Sequence, residues 1–305
     1  MAEFYHQPIM LDEVLEGLAI RPQGVYVDCT TGGAGHSRAI AAKLQGGRMI
    51  CIDRDPEALA VARERMKDYD VTFVHDDFKH VLPDLKGVDG ILMDLGVSSY
   101  QIDTAERGFS YRLDGKLDMR MDPTTGMSAA DVVNTLDERA IADIIYKYGE
   151  DRFGARIAHF IVEERRNGPI TTTLQLASIV ERAIPAKYRY TGGNPCKRTF
   201  QALRIYVNDE LNGLYECILA GIDNLNPGGR ICVITFHSLE DRIAKTAMRY
   251  AEADCICDSR QPVCTCNKRS TARIITKKPI VAGDEELARN PRAESAKLRI
   301  AERKA

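Results

Sequence analysis

No stretch of this 305-residue chain is apolar for the roughly 20 residues that a membrane-spanning helix needs. Neither sign of charge dominates. Lys and Arg number 42 against 44 Asp and Glu, a net charge of −2, so no global basic field points to nucleic acid, and any such contact must use local patches. Residues 1–8 contain no basic segment followed by an apolar one, so a secretory signal is not expected. Internal repeats and low-complexity segments are also missing. These absences leave a cytoplasmic globular protein with no membrane partner as the expectation. Its length suits one large domain or two modest ones, and 44% hydrophobic residues is ordinary for that class. In that compartment the nine cysteines are expected as thiols or metal ligands rather than disulfides.

The stretch from Val25 to Ser37 organises what is present. Val25 and Val27 fit a short buried strand that ends at Asp28. Gly32, Gly33 and Gly35 then allow a sharp turn and a close approach of backbone to ligand, because no Cβ stands in the way. A helix from Ser37 to about Leu44 would point its amino-terminal amides at that ligand. A second apolar strand, Arg48 to Asp53, ends in a carboxylate at about the spacing at which doubly wound sheets place a ribose-binding acid. The nicotinamide fingerprint G-x-G-x-x-G does not fit, because with Gly33 and Gly35 as its first two glycines the third position is Arg38. S-adenosylmethionine has no phosphate and tolerates a looser turn, so the pattern favours a methyltransferase over a dehydrogenase.

Along the rest of the chain, Ile9–Ile20 has helical spacing. Pro56 after Asp55 starts a helix that continues through Ala58 to Met66. Val71–His75 and Val88–Asp94 read as further strands. This alternation predicts a parallel α/β sheet. It stops at a loop-like stretch, Tyr100–Thr125, followed by helix after helix from Ser128 to Leu225 with breaks near Gly149, Pro169, Pro185 and Gly192. The expected division is 1–102 with 206–305 as the sheet domain and 103–205 as an all-α insertion. The sheet resumes at Gly229–Phe236, a helix spans about Ser238 to Ala253, and two strand-like pieces follow at 271–281 and 295–301. Asp28, Asp53, Asp77 and Asp94 thus sit at four successive strand ends, where open α/β sheets bind ligands, although an acid there can also simply cap the next helix.

These motifs carry a resemblance. His6-Gln-Pro-Ile-Met10, the Gly-His-Ser turn, Ile52-Asp-Arg-Asp-Pro56, Met93-Asp-Leu-Gly-Val-Ser-Ser99, Glu106-Arg-Gly-Phe-Ser110, Leu117-Asp-Met-Arg-Met-Asp-Pro123, Lys197-Arg-Thr-Phe-Gln-Ala-Leu-Arg204, Phe236-His-Ser-Leu-Glu-Asp-Arg242 and the segment Asn290–Arg303 occur in this order. The set resembles the bacterial 16S ribosomal RNA (cytosine-N4) methyltransferase family, RsmH or MraW, over nearly the whole chain. The resemblance implies a class I, Rossmann-like fold with a helical insertion that recognises substrate. It implies methyl transfer from S-adenosylmethionine to a cytosine N4 in the decoding region of 16S rRNA within the 30S subunit, and it is compatible with a homodimer. It further implies cofactor contacts at Gly33, Ala34, Gly35, His36, Asp53, Phe78, Asp94 and Gln101. The family often has Gly or Ser where Ala34 stands, a change that a backbone contact would survive.

Cytosine N4 is a poor nucleophile, because its lone pair is delocalised into the ring. It must be held in line with the methyl group and offered a proton acceptor. The Asn/Asp-Pro-Pro-aromatic motif of many amino-methyltransferases is missing, and Asp94-Leu-Gly-Val stands in its place. Asp94 is therefore the candidate acceptor, with a purely cofactor-binding role as the alternative. His237 is a second candidate, against a structural hydrogen bond at a strand end. For RNA contact the cations are Lys187, Arg189, Lys197, Arg198 and Arg204, and the run Lys268, Arg269, Arg273, Lys277 and Lys278. Cys255 and Cys257 with Cys264 and Cys266 can supply four thiolates to a structural Zn²⁺, or can be plain thiols. The other cysteines, such as Cys51 and Cys232, are expected as small core residues. Competing functions are a methyltransferase acting on another nucleic acid, a dehydrogenase, and a ribosome-assembly factor that binds S-adenosylmethionine without turnover.

Overall fold

The structure, a computed structural model, describes residues 8–189, 193–258, 260, 261 and 263–305. His6, Gln7, Gly192 and two residues between the cysteine pairs, Ser259 and Pro262, lie outside the described residues. Contacts divide the chain into two compact units, Met1–Gly96 with Leu211–Ala305, and Val97–Glu210. The first unit begins with α1 (Leu11–Leu18), β1 (Val25–Asp28), α2 (Gly35–Ala41), β2 (Arg48–Asp53), α3 (Pro56–Arg65), β3 (Val71–His75), α4 (Phe78–Val81) and β4 (Val88–Asp94). The second unit carries α5 (Ser99–Asp103), α6 (Ala129–Thr135), α7 (Glu138–Gly149), α8 (Gly154–Glu164), α9 (Thr173–Ala183), α10 (Ala186–Arg189) and α11 (Lys197–Val207). The chain then returns to the first unit with α12 (Leu214–Asn224), β5 (Leu225–Thr235), α13 (Ser238–Glu252), β6 (Ala272–Ile274), β7 (Ile280–Val281), α14 (Asp284–Arg289) and β8 (Lys297–Arg303).

The first unit is an α/β, Rossmann-like sheet in the order β3-β2-β1-β4-β5-β8-β6, with β7 also paired to β8. Strands β1 to β5 are parallel, and β8 runs antiparallel to β5, β6 and β7. The sheet is therefore mixed rather than wholly parallel.

The central strands are apolar along their whole length because both faces are covered. Val27, Ile50, Ile52, Ile91, Met93, Ile231 and Val233 pack with Leu214, Ile218, Ala244 and Met248 of α12 and α13. Their alternates Tyr26, Met49, Cys51, Leu92, Cys232 and Ile234 pack with Val14, Leu18, Ile40 and Ala62 of α1, α2 and α3. Cys51 and Cys232 are thus small core residues, fully buried.

Local chemistry sets the element ends. Asp55 accepts a hydrogen bond from Glu57 N at 3.0 Å, with Pro56 in the first helical position of α3. Three elements differ from expectation. Helix α2 stops at Ala41, short of Leu44. The loop expected from Tyr100 begins inside α5, which a Ser98–Gln101 capping box starts. Helix α14 was legible in no apolar period, being Asp-Glu-Glu-Leu-Ala-Arg. In the second unit α7 packs on α8 and α11, burying Ile141, Ile145, Ile157, Ile161, Ala202 and Leu203. No helix among the described residues is long and apolar enough to cross a membrane.

Candidate functional site

The register of the first unit builds a crevice at the carboxyl end of β1. Asp28 pairs with Cys51 of β2 and Leu92 of β4, so both neighbours run two residues further, to Asp53 and Asp94. Strand order reverses around β1, the switch point at which open α/β sheets bind ligands. The turn after β1 fills the floor of the crevice and is pinned on both sides. Cys29 N donates to Leu92 O at 2.9 Å, and Thr31 N to Ile52 O at 3.0 Å. Asp94 N donates to Thr30 Oγ1 at 2.7 Å. Gly32 N donates to Asp53 Oδ2 at 2.7 Å, and Asp55 N to Asp53 Oδ1 at 2.8 Å.

The glycines divide by role. Gly32 has φ +50°, a left-handed conformation that favours glycine. Gly35 serves another need: a Cβ there would lie 2.6 Å from Pro8 Cγ, so its bareness makes room for the amino-terminal segment rather than for a ligand. Ala34, the residue before α2, has φ +63°, a left-handed conformation that glycine would adopt without strain. Gly33 O accepts from Arg65 Nη1 at 2.8 Å.

Three carboxylates lie within this crevice. Asp28 is buried, accepts from Ser37 Oγ at 2.5 Å and Thr30 N at 3.1 Å, and has its pKa raised by burial against those donors. Burial likewise pushes Asp53 up to about 6, against the backbone donors of Asp55 and Gly32. Asp94 is also pushed up to about 6 by burial, with His36 opposing. Asp94 Oδ1 is buried with no hydrogen-bond partner, and Oδ2 lies 3.7 Å from His36 Nδ1. His36 Nε2 donates to Ile9 O at 2.9 Å, which leaves Nδ1 facing the Asp94 carboxylate. Such a crevice is short of positive charge, and a cation fits it chemically.

The remaining predicted residues fall in different places. Phe78 starts α4 and packs against the sheet core. Asp77 caps that helix through Lys79 N at 2.9 Å and pairs with Arg54, so its capping reading holds. His237 is the N-cap of α13, in a capping box with the buried Glu240, the structural reading of a strand-end histidine. Gln101, in the second unit, is buried and belongs to the Ser98 capping box.

Also in the second unit, Lys197 is exposed and Arg198 Nη1 donates to Glu150 O at 3.0 Å. Arg204 forms a bidentate ion pair with Glu210, at 2.9 and 2.8 Å, and is largely buried. That geometry holds the end of α11 in place rather than offering charge to RNA. The blocks Glu106–Ser110 and Leu117–Pro123 fold on one another. Arg107 Nη2 donates to Arg120 O and Met121 O, Arg120 pairs with Asp118, and Asn208 ties Met119 O to Met121 N.

Sequence reasoning named Lys187 but missed the Arg152, Phe153 and Tyr188 that complete a basic-aromatic cluster in the same unit. The Arg152 guanidinium lies 4.2 Å over Tyr188 and 4.9 Å over Phe153, with Lys187 4.7 Å over Tyr188. The adjacent pairs Arg152-Phe153 and Lys187-Tyr188 were the available signal. The four cysteines at 255–266 converge, as described below. A shallow cavity lined by Arg21, Gln23, Gln45 and Asp89 lies at the amino end of β1 and β4, at the opposite strand ends from Asp28, Asp53 and Asp94.

A family model described as the MraW methylase family matches residues 3–304. A Ribosomal RNA small subunit methyltransferase H of Clostridioides difficile is 51% identical, covering 99% of each chain. The protein of the same name from Brevibacillus brevis is 52% identical, covering 98% of each. Among solved structures, an rRNA methylase from Streptococcus thermophilus aligns with 97% of this chain and 94% of its own, at 10% identity and a TM-score of 0.42.

Proposed function

The chain belongs to the MraW methylase family, and from that premise we propose that it methylates the N4 amine of a cytosine in the decoding region of 16S rRNA. It is an S-adenosylmethionine-dependent rRNA methyltransferase, as its half-identical relatives are named small-subunit rRNA methyltransferases. The observation that carries the reading is the crevice at β1, whose buried, partnerless Asp94 Oδ1 stands among carboxylates raised by desolvation. S-adenosylmethionine carries a sulfonium and an ammonium and no phosphate, so this donor set fits it, whereas a pyrophosphate would meet like charge. When bound it supplies an electrophilic methyl group.

The residues of the chain do the rest. The turn through Gly33, Ala34, Gly35 and His36 lines the methionine end. Asp53 accepts from the ribose hydroxyls, Phe78 borders the adenine, and Asp94 meets the cationic end. Asp94 also accepts the proton that N4 must lose. A carboxylate pushed up to about 6 is ionised at neutral pH and more basic than an ordinary one, which suits a general base. The second unit is the substrate-recognition insertion. Lys197 and Arg198 at the start of α11 meet phosphates, and the Arg152, Phe153 and Tyr188 cluster offers a stacking face for an unpaired base. Because the net charge is only −2, naked RNA has little long-range attraction. The preformed shape of the 30S particle is therefore the substrate, in the cytoplasm, and a homodimer is compatible with this.

The test is methyl transfer from labelled S-adenosylmethionine to 30S particles and to naked 16S RNA from cells lacking the activity, with mapping of the product. N4-methylcytosine on the particle is expected. Cofactor binding without transfer to either substrate would overturn the reading in favour of an assembly factor.

A further inference from the structure

The loop from α13 to β6 has no core of its own. None of its described residues between Glu252 and Ser270 is buried, and Ile256 and Val263 are 52% and 69% exposed. Its base is tied down, with Thr271 N donating to Ala251 O at 2.8 Å and Ser270 N to Asp254 Oδ1 at 3.2 Å. Its tip lacks apolar burial to offset the entropy of ordering, and segments of this kind are usually held by a disulfide or a metal.

The sulfurs at the tip settle which. Cys255 Sγ lies 3.5 Å from Cys264 Sγ and 3.8 Å from Cys266 Sγ, Cys257 Sγ lies 3.9 Å from Cys264 Sγ, and Cys264 Sγ lies 3.6 Å from Cys266 Sγ. All four lie within 4.8 Å of one another. A tetrahedron with Zn–S bonds of about 2.3 Å has edges of about 3.8 Å, whereas a disulfide needs about 2.05 Å. Four sulfurs gathered at these separations are the arrangement of a metal shell rather than of two cystines.

The backbone supports the same chemistry. Ile256 N points at Cys266 Sγ at 3.5 Å, and Cys257 N at Cys255 Sγ at 3.4 Å. Amides donating to sulfur offset the negative charge of four thiolates, as outer partners do in metal centres. Asn267, directly after the last cysteine, takes φ +51°. The other five cysteines are buried elsewhere.

We propose that Cys255, Cys257, Cys264 and Cys266 bind one zinc ion that staples this loop into a fixed projection from the sheet. Four soft thiolates with no oxygen ligand select zinc over magnesium or calcium. The Cys-x-Cys spacing differs from the usual knuckle, and two such pairs brought together replace it. The site is independent of the methyl-transfer crevice.

The test is metal analysis of the full chain purified without chelators. One zinc per chain is expected, released by a mercurial reagent that titrates thiols. Titrating cobalt into chelator-stripped protein should give intense thiolate-to-metal charge transfer and tetrahedral ligand-field bands. A Cys257→Ser/Cys264→Ser variant should lose the metal and become protease-sensitive between residues 255 and 266, with the rest of the chain still resistant. Far less than one zinc per chain with all four thiols freely alkylated, stoichiometric iron, or a disulfide within the quartet would overturn the assignment. Should the variant not fold, the cobalt spectrum of the unsubstituted chain decides.

Discussion

Asp94→Asn should make the protein more stable at neutral pH while weakening its hold on cofactor. Burial moves this carboxyl from 3.8 to about 6. A group whose folded pKa is raised imposes no penalty below its unfolded value, and stability is lost as pH rises through the folded value. The loss therefore develops between about pH 4 and pH 6 and is complete above. Two units correspond to a ceiling of about 3 kcal/mol, and because a quarter of the side chain is exposed, screening reduces this to about 1–2 kcal/mol. Asparagine keeps the shape and removes the charge. The variant should therefore melt about 2–5 °C higher than the parent at pH 7.5, with the gap closing towards pH 5. S-adenosylmethionine should bind about ten- to a hundredfold more weakly at pH 7.5, the worth of one charge-assisted contact. Paired thermal scans and calorimetric titrations at the two pH values read both effects. A stability difference that does not change with pH, or a variant that binds cofactor as tightly as the parent, would refute the reasoning.

The same carboxylate makes cofactor affinity pH-dependent. With Asp94 at about 6, Kd for this cationic ligand should rise about tenfold from pH 7.5 to pH 5, and a flat titration would exclude it as the cation's partner. Gly35→Ala should cost about 1–3 kcal/mol by driving a Cβ to within 2.6 Å of Pro8, read as lost thermal stability; Ala34→Gly, at φ +63°, should be near neutral or mildly stabilising. Arg204→Ala should cost about 3 kcal/mol by stranding the buried Glu210 carboxylate. If its effect appeared instead as weaker RNA binding with unchanged melting, Arg204 would be a substrate contact after all.

The first four strands and their acidic ends were legible in the sequence for a physical reason. A strand covered on both faces must be apolar throughout, so the first carboxylate marks where the chain leaves the sheet, as at Asp28, Asp53 and Asp94. The helix starts at Pro56 and Ser238 were legible because capping is local. The order of the family blocks was enough to recognise the family across the chain, and hence its chemistry.

What only the tertiary structure decided rests on contacts between residues far apart in the chain. Asp28 is recessed below Asp53 and Asp94 because of strand register. Gly35 answers Pro8, and Arg204 is taken by Glu210 although its sequence neighbours suggest an RNA contact. The antiparallel edge follows from the pairing of β8 with β5, β6 and β7. Two Cys-x-Cys pairs state no geometry until the fold brings their four sulfurs within 4.8 Å of one another. Local composition determines which segments are strands, caps and turns; packing determines which charges are left without a partner, and those are the groups available for chemistry.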